Sequence, residues 1–175
     1  MNKGIRKAEQ RNKKEREKQA DIIYSACFTV LHSYGWDADE IITVLNGIPK
    51  VLHESHEKEL SVFEMLEQET GIELSLDGVK SYHKYAWMSS DTTVNPISDL
   101  QYIYMLNNEL KWIPSIILAA LVLTLRRDKD WDDEKLSDFI QELNRVRMSL
   151  GEDTQKYREY MAKKTGYKIE NVWRD

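Results

Sequence analysis

The sequence predicts an all-α protein, and three of its features support that prediction. Its 175 residues include only seven glycines and three prolines, so long stretches contain no strong helix breaker. Apolar residues recur at helical spacing in several segments, whereas runs of alternating β-branched residues are few. Two segments also resemble each other, which predicts that a helical unit has been duplicated.

The predicted duplication rests on three pairs of segments that correspond at an offset of 94 or 95 residues. They are "IIYSACFTVL" (22–31) with "IILAALVLTL" (116–125), "WDADEI" (36–41) with "WDDEKL" (131–136), and "ETGIEL" (69–74) with "KTGYKI" (164–169). A shared helical period alone would not place Trp-Asp and Thr-Gly at the same relative positions. We therefore expect two tandem three-helix units, 19–76 and 115–175, packed around a central apolar helix.

The first unit begins with one stripe of apolar residues at helical spacing, from Ile22 to Tyr34. After the turn "YGWD", Asp37 is predicted to cap a second helix, with Glu40 completing a capping box at its third position. In the second unit, the first helix is apolar nearly all round and should be central in the fold. Its second helix, 132–150, contains neither Pro nor Gly and should run unbroken.

Two further signals divide the first unit. The sequence "NGIP" should break or kink the second helix, because Gly47 suits a helix end and Pro49 a new helix start. A third helix is predicted to begin at Ser61, which forms a capping box with Glu64, and to end at Gly71.

The connector between the units, 77–114, has no counterpart elsewhere in the chain. A helix is predicted from Ser98 to about Leu110, because Ser98 and Gln101 have capping-box spacing. Pro114 disfavours helical geometry in the residue before it, so the central helix is expected to start anew there.

Residues 1–18 are a basic segment on an otherwise acidic chain. Eight Lys and Arg against three Glu give this segment a charge of +5. Because the whole chain has a net charge of −5, residues 19–175 carry a charge of −10. The eight cations are Lys3, Arg6, Lys7, Arg11, Lys13, Lys14, Arg16 and Lys18. We expect the segment to extend the first helix outward as a solvated arm, supported by pairs such as Glu9–Lys13. Such an arm can contact phosphate groups, or it can serve solubility alone.

A second candidate for binding is the connector sequence "KSYHKYAWM" (80–88). It places Tyr82, Tyr85 and Trp87 among cations that include Lys84. Aromatic rings among cations suit base stacking or a protein-binding hot spot. The interpretation that we favour is that these rings cover the seam between the two units.

The sequence "DKDWDDEKL" has acidic spacing that suggests a calcium loop, but other requirements fail. An EF-hand loop starting at Asp128 needs Gly at its sixth position and Glu at its twelfth, where the chain has Asp133 and Phe139. Asp132 instead aligns with the predicted cap of the first unit and is expected to cap a helix. The remaining acids, Asp128, Asp130 and Asp133, form an acidic patch that can contact a basic partner.

The sequence "HESHE" contains the strongest candidates for metal ligands. On a helix, His53, His56 and Glu57 can converge on one side and offer two imidazoles and a carboxylate. The spacing is not that of His-Glu-x-x-His, and the second unit has Met148 and Gly151 at the equivalent positions. A solvated polar face is therefore the interpretation that we favour over a metal site.

No motif indicates nucleophilic catalysis or nucleotide binding. Cys27 lies on the apolar stripe of the first helix and is expected to be a core residue. The chain contains no Gly-x-Ser-x-Gly, no phosphate-binding Gly-rich loop and no dinucleotide fingerprint. We therefore expect a protein that is not an enzyme and that uses neither a cofactor nor a metal.

Several features favour a cytoplasmic protein that does not enter a membrane. The single cysteine excludes an internal disulfide framework and fits a reducing compartment. The N-terminus is basic and polar, without the apolar core of a secretory signal. The longest apolar run, 113–125, has 13 residues and is too short to span a bilayer.

The sequences "FTVLHSYGWDADEIITVL" and "LEQETGIEL" resemble small, mostly uncharacterised helical proteins of phages and mobile elements in Gram-positive bacteria. The resemblance covers both units and implies no catalytic residues. It implies an accessory gene, such as one that disables a host defence nuclease of the CRISPR type. The second unit departs from the pattern, with Arg126 in place of His32 and Asp130 in place of Gly35.

The uneven charge and the lack of an active-site motif predict a non-enzymatic protein that binds a macromolecule, with a host protein or ribonucleoprotein as the expected partner. One alternative is a nucleic-acid-binding regulator that uses the basic arm. It would need a recognition helix, and helix 132–149 offers only Lys135, Arg145 and Arg147 among five acids. A second alternative is a metal-dependent enzyme centred on the histidines of "HESHE".

Overall fold

The computed structural model describes the backbone of residues 3–74 and 99–172, and the side chains of 3–74, 110 and 112–170. Within these ranges the chain forms eight helices and no strand, which confirms the predicted all-α fold. The helices are α1 (Lys3–Ser33), α2 (Ala38–Leu45), α3 (Ile48–Glu57), α4 (Val62–Thr70), α5 (Asp99–Lys129), α6 (Asp133–Leu150), α7 (Thr154–Thr165) and α8 (Ile169–Val172).

The core forms between the two longest helices, α1 and α5. Both end on the same side of the molecule, because the rings of Tyr34 and Trp131, which follow them, lie 5.0 Å apart between centroids. The segment 117–125 of α5 is buried at every position, and α1 buries nearly all of 22–31 against it. These apolar segments are the ones whose helical periodicity is clearest in the sequence.

Most of the shorter helices of each half pack mainly on the long helix of the other half. Helices α3 and α4, which follow α1 in the chain, pack mainly against α5. Helices α6 and α7, which follow α5, pack mainly against α1. The two predicted units are therefore interleaved in a single hydrophobic core, and each supplies the long helix on which the other packs.

Arg127 links α5 to both α3 and α4 through hydrogen-bonded ion pairs. Its Nη1 donates to Glu54 Oε2 at 2.6 Å, its Nε donates to Glu69 Oε2 at 2.8 Å, and its Nη2 contacts both carboxylates. The hydrogen bond from Arg127, assisted by Lys58, lowers the pKa of Glu54. The two carboxylates in turn raise the pKa of Arg127.

We expect Arg127→Met to lower the free energy of unfolding at pH 7 by about 1–2 kcal/mol, because charge-assisted bidentate hydrogen bonds are lost from a partly solvated site. The folded-state pKa of Glu54 is lowered, so its contribution is present above its unfolded pKa of about 4.3 and disappears as the pH falls through the folded value. The difference in the free energy of unfolding between the wild type and Arg127→Met should therefore be smaller at about pH 3 than at pH 7, as measured by urea unfolding.

Arg145→Met is the matched control for this substitution. The Arg145 side chain is 73% exposed and pairs with Glu142 one turn away on the same helix. We expect a change below about 0.5 kcal/mol. Equal losses in the free energy of unfolding of the two variants would contradict a stabilising role of the Arg127 ion pairs.

Several predicted helix boundaries are confirmed. The Asp37 carboxylate accepts from the Glu40 amide at 2.8 Å, and the Asp132 carboxylate accepts from the Lys135 amide at 2.9 Å. Ser61 and its third-position glutamate form a complete capping box. Helix α4 ends at Gly71 in the left-handed region, and α7 ends in the same way at its own glycine. Helix α6 runs unbroken, as its sequence predicts.

The predicted break before the central helix is wrong. Residues 99–129 form one helix, and Pro114 lies inside it and is buried. A proline in a helix interior removes one backbone hydrogen bond and costs about 3 kcal/mol. The helix continues because the residues that follow Pro114 are buried throughout the core. The predicted cap at Ser98 lies outside the described residues.

Two local predictions in the first unit are also corrected. Glu40 does not complete the capping box, because its carboxylate instead accepts from Lys129 Nζ of α5 at 2.9 Å. Gly47 is not the C-cap of α2, a place that Asn46 takes, but the N-cap of α3, with Pro49 near the helix start as predicted. For Glu40 the outcome depends on α5, which is distant in sequence.

The two halves share local geometry at the positions that the duplication pairs. The hydroxyl of Thr70 accepts from the amide two residues later at 3.1 Å, and that of Thr165 does the same at 3.1 Å. Gly35 has a φ of 87°, and Asp130, which replaces it, has a φ of 50°. A common ancestry of the halves stays a prediction.

Candidate functional site

The N-terminal half of α1 has an inner face and an outer face. Asn12 is only 5% exposed, and Ile5, Ala8 and Glu15 are half-buried on the same face at helical spacing. The predicted solvated arm is therefore solvated on its outer face only, because one side of this segment is covered. The predicted continuity with the first helix is confirmed, since α1 begins at Lys3.

The outer face of the same segment is strongly basic. Six cations that we call the basic face are all exposed: Lys3, Arg6, Lys7, Arg11, Lys13 and Lys14. They cover roughly 17 Å along the axis at 1.5 Å per residue. Glu17 follows them as the first acidic residue on this side of the helix.

Within the described part of the chain, no carboxylate forms an ion pair with any cation of the basic face. The predicted Glu9–Lys13 pair is not made, whereas Lys18 does pair with Glu15 at 3.4 Å. Arg16 is exposed but has an interaction partner of its own. The basic face therefore presents its charge to solvent, where an anionic ligand can reach it.

The acidic residues of "DKDWDDEKL" serve the helix boundary. Asp132 caps α6, as predicted, and Asp133 pairs with Arg126 Nη1 at 3.2 Å. Asp128 and Asp130 are exposed. In the described ranges, no group of three His, Cys, Asp or Glu side chains is arranged to hold a metal ion.

That finding includes the residues of "HESHE", so the described residues give no support to the alternative of a metal-dependent enzyme there. His53 Nε2 lies 3.4 Å from Glu57 Oε1, and these side chains are 73% and 66% exposed. His56 is exposed in the same last turn of α3. The three side chains lie on an outward-facing helix end, where no described residue from another element completes a ligand set.

Helix α6 lacks the basic surface of a recognition helix. Lys135 Nζ lies over the ring of Trp131, 4.4 Å from its centroid, and Arg145 pairs with Glu142 at 2.9 Å. Arg147 is half-buried. The three cations that the regulator alternative would use on this helix are thus engaged with the protein itself or partly covered.

Cys27 is fully buried in α1, as predicted for a core residue. Burial raises the pKa of its thiol to about 12, although Arg147 partly opposes the shift. The thiolate is the reactive form, so the folded protein offers neither access nor the nucleophile at neutral pH.

We expect a disulfide reagent such as Ellman's reagent to modify Cys27 at pH 8 only through the unfolded population, because the thiol is buried and protonated in the folded state. Rates measured across a urea series should follow the unfolding equilibrium, and the unfolded chain should react at once. Rapid modification without denaturant would show that this part of the core opens locally.

The sequence did not predict that the two Trp-Asp turns meet. The rings of Trp36 and Trp131 pack edge to face with centroids 5.5 Å apart, and Tyr34 and Phe139 extend the group. The signal that was available in the sequence is that Trp36 and Trp131 have equivalent places in the two predicted units. Of the other predicted binding residues, Tyr82, Lys84, Tyr85 and Trp87 lie outside the described residues.

Comparisons with family models, curated proteins and solved structures return no match to this chain. Among the described residues, none of the helices has the length and apolar character needed to cross a membrane.

Proposed function

We propose that this protein is a non-enzymatic accessory protein that binds nucleic acid, free or within a nucleoprotein, through the basic face of α1. The observation that carries this proposal is the exposure of six cations on one helix face without an ion pair to a described carboxylate. Lys and Arg displace condensed counterions from phosphates, which provides affinity independent of base sequence. The resemblance to phage and mobile-element proteins suggests a host defence nucleoprotein, such as a CRISPR nuclease, as the setting.

The surroundings of the basic face favour nucleic acid over a lipid surface. Helices that bind membranes expose apolar side chains next to their cations. Here the apolar residues of the segment, Ile5 and Ala8, belong to the half-buried inner face. The exposed side is polar throughout, which suits a phosphate backbone in water.

The test measures binding to fluorescent DNA of about 24 nucleotides, as a duplex and as a single strand, over a series of salt concentrations. Both probes are much longer than the basic face. Lys7→Gln/Lys14→Gln should lower the slope of log affinity against log salt by roughly 2, since each lost phosphate contact contributes about 0.9 on duplex. Glutamine keeps a helix propensity close to that of lysine, so the thermal midpoint should not change.

Lys50→Gln/Lys58→Gln is the control, because it removes two exposed lysines from α3 and its C-cap, and α3 packs mainly against α5. Unlike the cations of the basic face, Lys58 pairs with a carboxylate, that of Glu54, at 2.6 Å. It should bind like the wild type. Substitution is preferable to deletion of residues 1–18, because Asn12 is buried and its loss would disturb the fold. Absence of salt-dependent binding, or equal losses in both double variants, would overturn the proposal.

A further inference from the structure

Helix α7 lies on the same side of α1 as the basic face. It touches α1 at Asp21, where Arg158 Nη2 donates at 2.5 Å, and at Phe28, where the Tyr167 ring lies 5.7 Å away between centroids. Lys7, Lys14, Asp21 and Phe28 follow one another at intervals of seven residues. Such residues form one stripe along a helix, with a drift of about 20° per interval. The stripe that is basic in the first half of α1 is thus covered by α7 in the second half.

The outward surface of α7 is basic in turn. Tyr157 and Met161 anchor the helix in the core, while lysines project from its other side and from the turn that follows. The exposed lysines are Lys156, Lys163, Lys164 and Lys168. Glu159 is the exposed acid on the helix itself and accepts a hydrogen bond from Gln155 at 2.9 Å. The flanking acids Glu152, Asp153 and Glu170 are exposed as well, and Glu170 pairs with Arg158 at 3.3 Å. Helix α7 therefore adds positive charge to the side that the basic face occupies.

Two tyrosines accompany these lysines. Tyr167 is 39% exposed, and Lys164 Nζ lies over the half-buried Tyr160 ring, 5.8 Å from its centroid. Aromatic rings between cations can stack on bases while the cations contact phosphates. The sequence of the connector has the same combination, and it lies outside the described residues.

The surface formed by α3 and α4 is acidic. Helices α3 and α4 and their flanking residues expose Glu57, Glu59, Glu67 and Glu73 against the two lysines Lys50 and Lys58. A polyanion is repelled there and attracted to the side of α1 and α7. The charge distribution therefore orients a nucleic acid on one side of the protein.

We infer that the basic face of α1 and the four lysines of α7 and its following turn form one basic track that binds a single stretch of nucleic-acid backbone. The inference rests on the proposed function and extends its site. His32 marks the far end, because its ring lies 6.2 Å from that of Tyr167. From Lys3 to His32, α1 rises about 43 Å, which corresponds to roughly 13 phosphates of one strand.

The track predicts a dependence on probe length that the basic face alone does not. A probe of about 5 nucleotides spans only the basic face, whereas one of about 24 also reaches α7. Lys163→Gln/Lys168→Gln should weaken binding of the long probe about fivefold and leave the short probe unaffected. Lys7→Gln/Lys14→Gln should weaken both, and Lys50→Gln/Lys58→Gln neither.

The short probe is single-stranded, and the long probe is used both as a duplex and as a single strand. The long probes show which form of the backbone the track accepts, and binding of either supports it. Long-probe binding that survives Lys163→Gln/Lys168→Gln unchanged would overturn the track and leave the proposed function intact. Failure of the wild-type protein to bind any probe would overturn both.

Discussion

Replacing Trp131 by alanine is expected to lower the free energy of unfolding by about 3–5 kcal/mol, the cost of removing a large buried aromatic side chain. The residue is 3% exposed although it lies in a turn between two helices. Its ring contacts those of Tyr34, Trp36 and Phe139 at centroid distances of 5.0, 5.5 and 5.9 Å. Through these contacts, the turn that joins α5 to α6 packs against the end of α1 and the turn that follows it.

Trp36→Ala is the matched control, because Trp36 has the equivalent place in the first half but is only half-buried. We expect a loss of about 1–2 kcal/mol from smaller burial. Because the two rings touch, the double variant should lose less than the sum of the single variants. Equilibrium urea unfolding measures all three. A loss for Trp131→Ala no larger than that for Trp36→Ala would contradict the central place of Trp131.

Replacing Gly47 by alanine is expected to cost about 1–3 kcal/mol through overpacking. A Cβ atom at this position would lie 2.5 Å from Thr124 Cγ2 and 3.0 Å from the Val44 carbonyl oxygen. Thr124 is buried in α5 and donates to the Ala120 carbonyl at 2.9 Å, so its side chain has little freedom to move. The backbone of Gly47 has an ordinary negative φ, and close approach to α5, not backbone strain, is the reason for glycine.

Thr124→Ala tests this explanation, because it removes the methyl group that an alanine at position 47 would strike. Alone it should cost about 1 kcal/mol, from one lost hydrogen bond and a small cavity. Combined with Gly47→Ala, it should recover about 1 kcal/mol or more relative to the sum of the two single changes. Thermal and urea unfolding of the four proteins completes the cycle. Strict additivity would show that the two positions do not compete for space.

The features that sequence reasoning recovered are those decided within a few residues. Asp37 and Asp132 cap helices because a carboxylate reaches the amide three positions later, whatever surrounds it. Gly71 ends α4 because it adopts a left-handed conformation that other residues resist. Periodicity likewise predicts the buried stripes of α1 and α5, since the core-facing side of a helix must be apolar.

The predictions that failed involve residues far apart in the chain. The Glu40 carboxylate accepts from Lys129 of α5 and does not complete the expected capping box. The close approach of Thr124 to Gly47 is likewise a contact that the local sequence does not show. Pro114 stays within a helix because burial of the following turns outweighs a lost hydrogen bond. Local propensity is worth at most a few kcal/mol, and tertiary packing overrides it where more surface is buried.

The candidate site shows the same division. Charge counting alone identifies a basic N-terminal segment, and composition and helical period suffice for the all-α class. Only the tertiary structure covers one side of that segment at Asn12 and places α7, with Lys163, against the second half of α1. The reason is physical: a helix's period is a property of its own residues, whereas the neighbour that covers each face depends on how distant helices exclude water together.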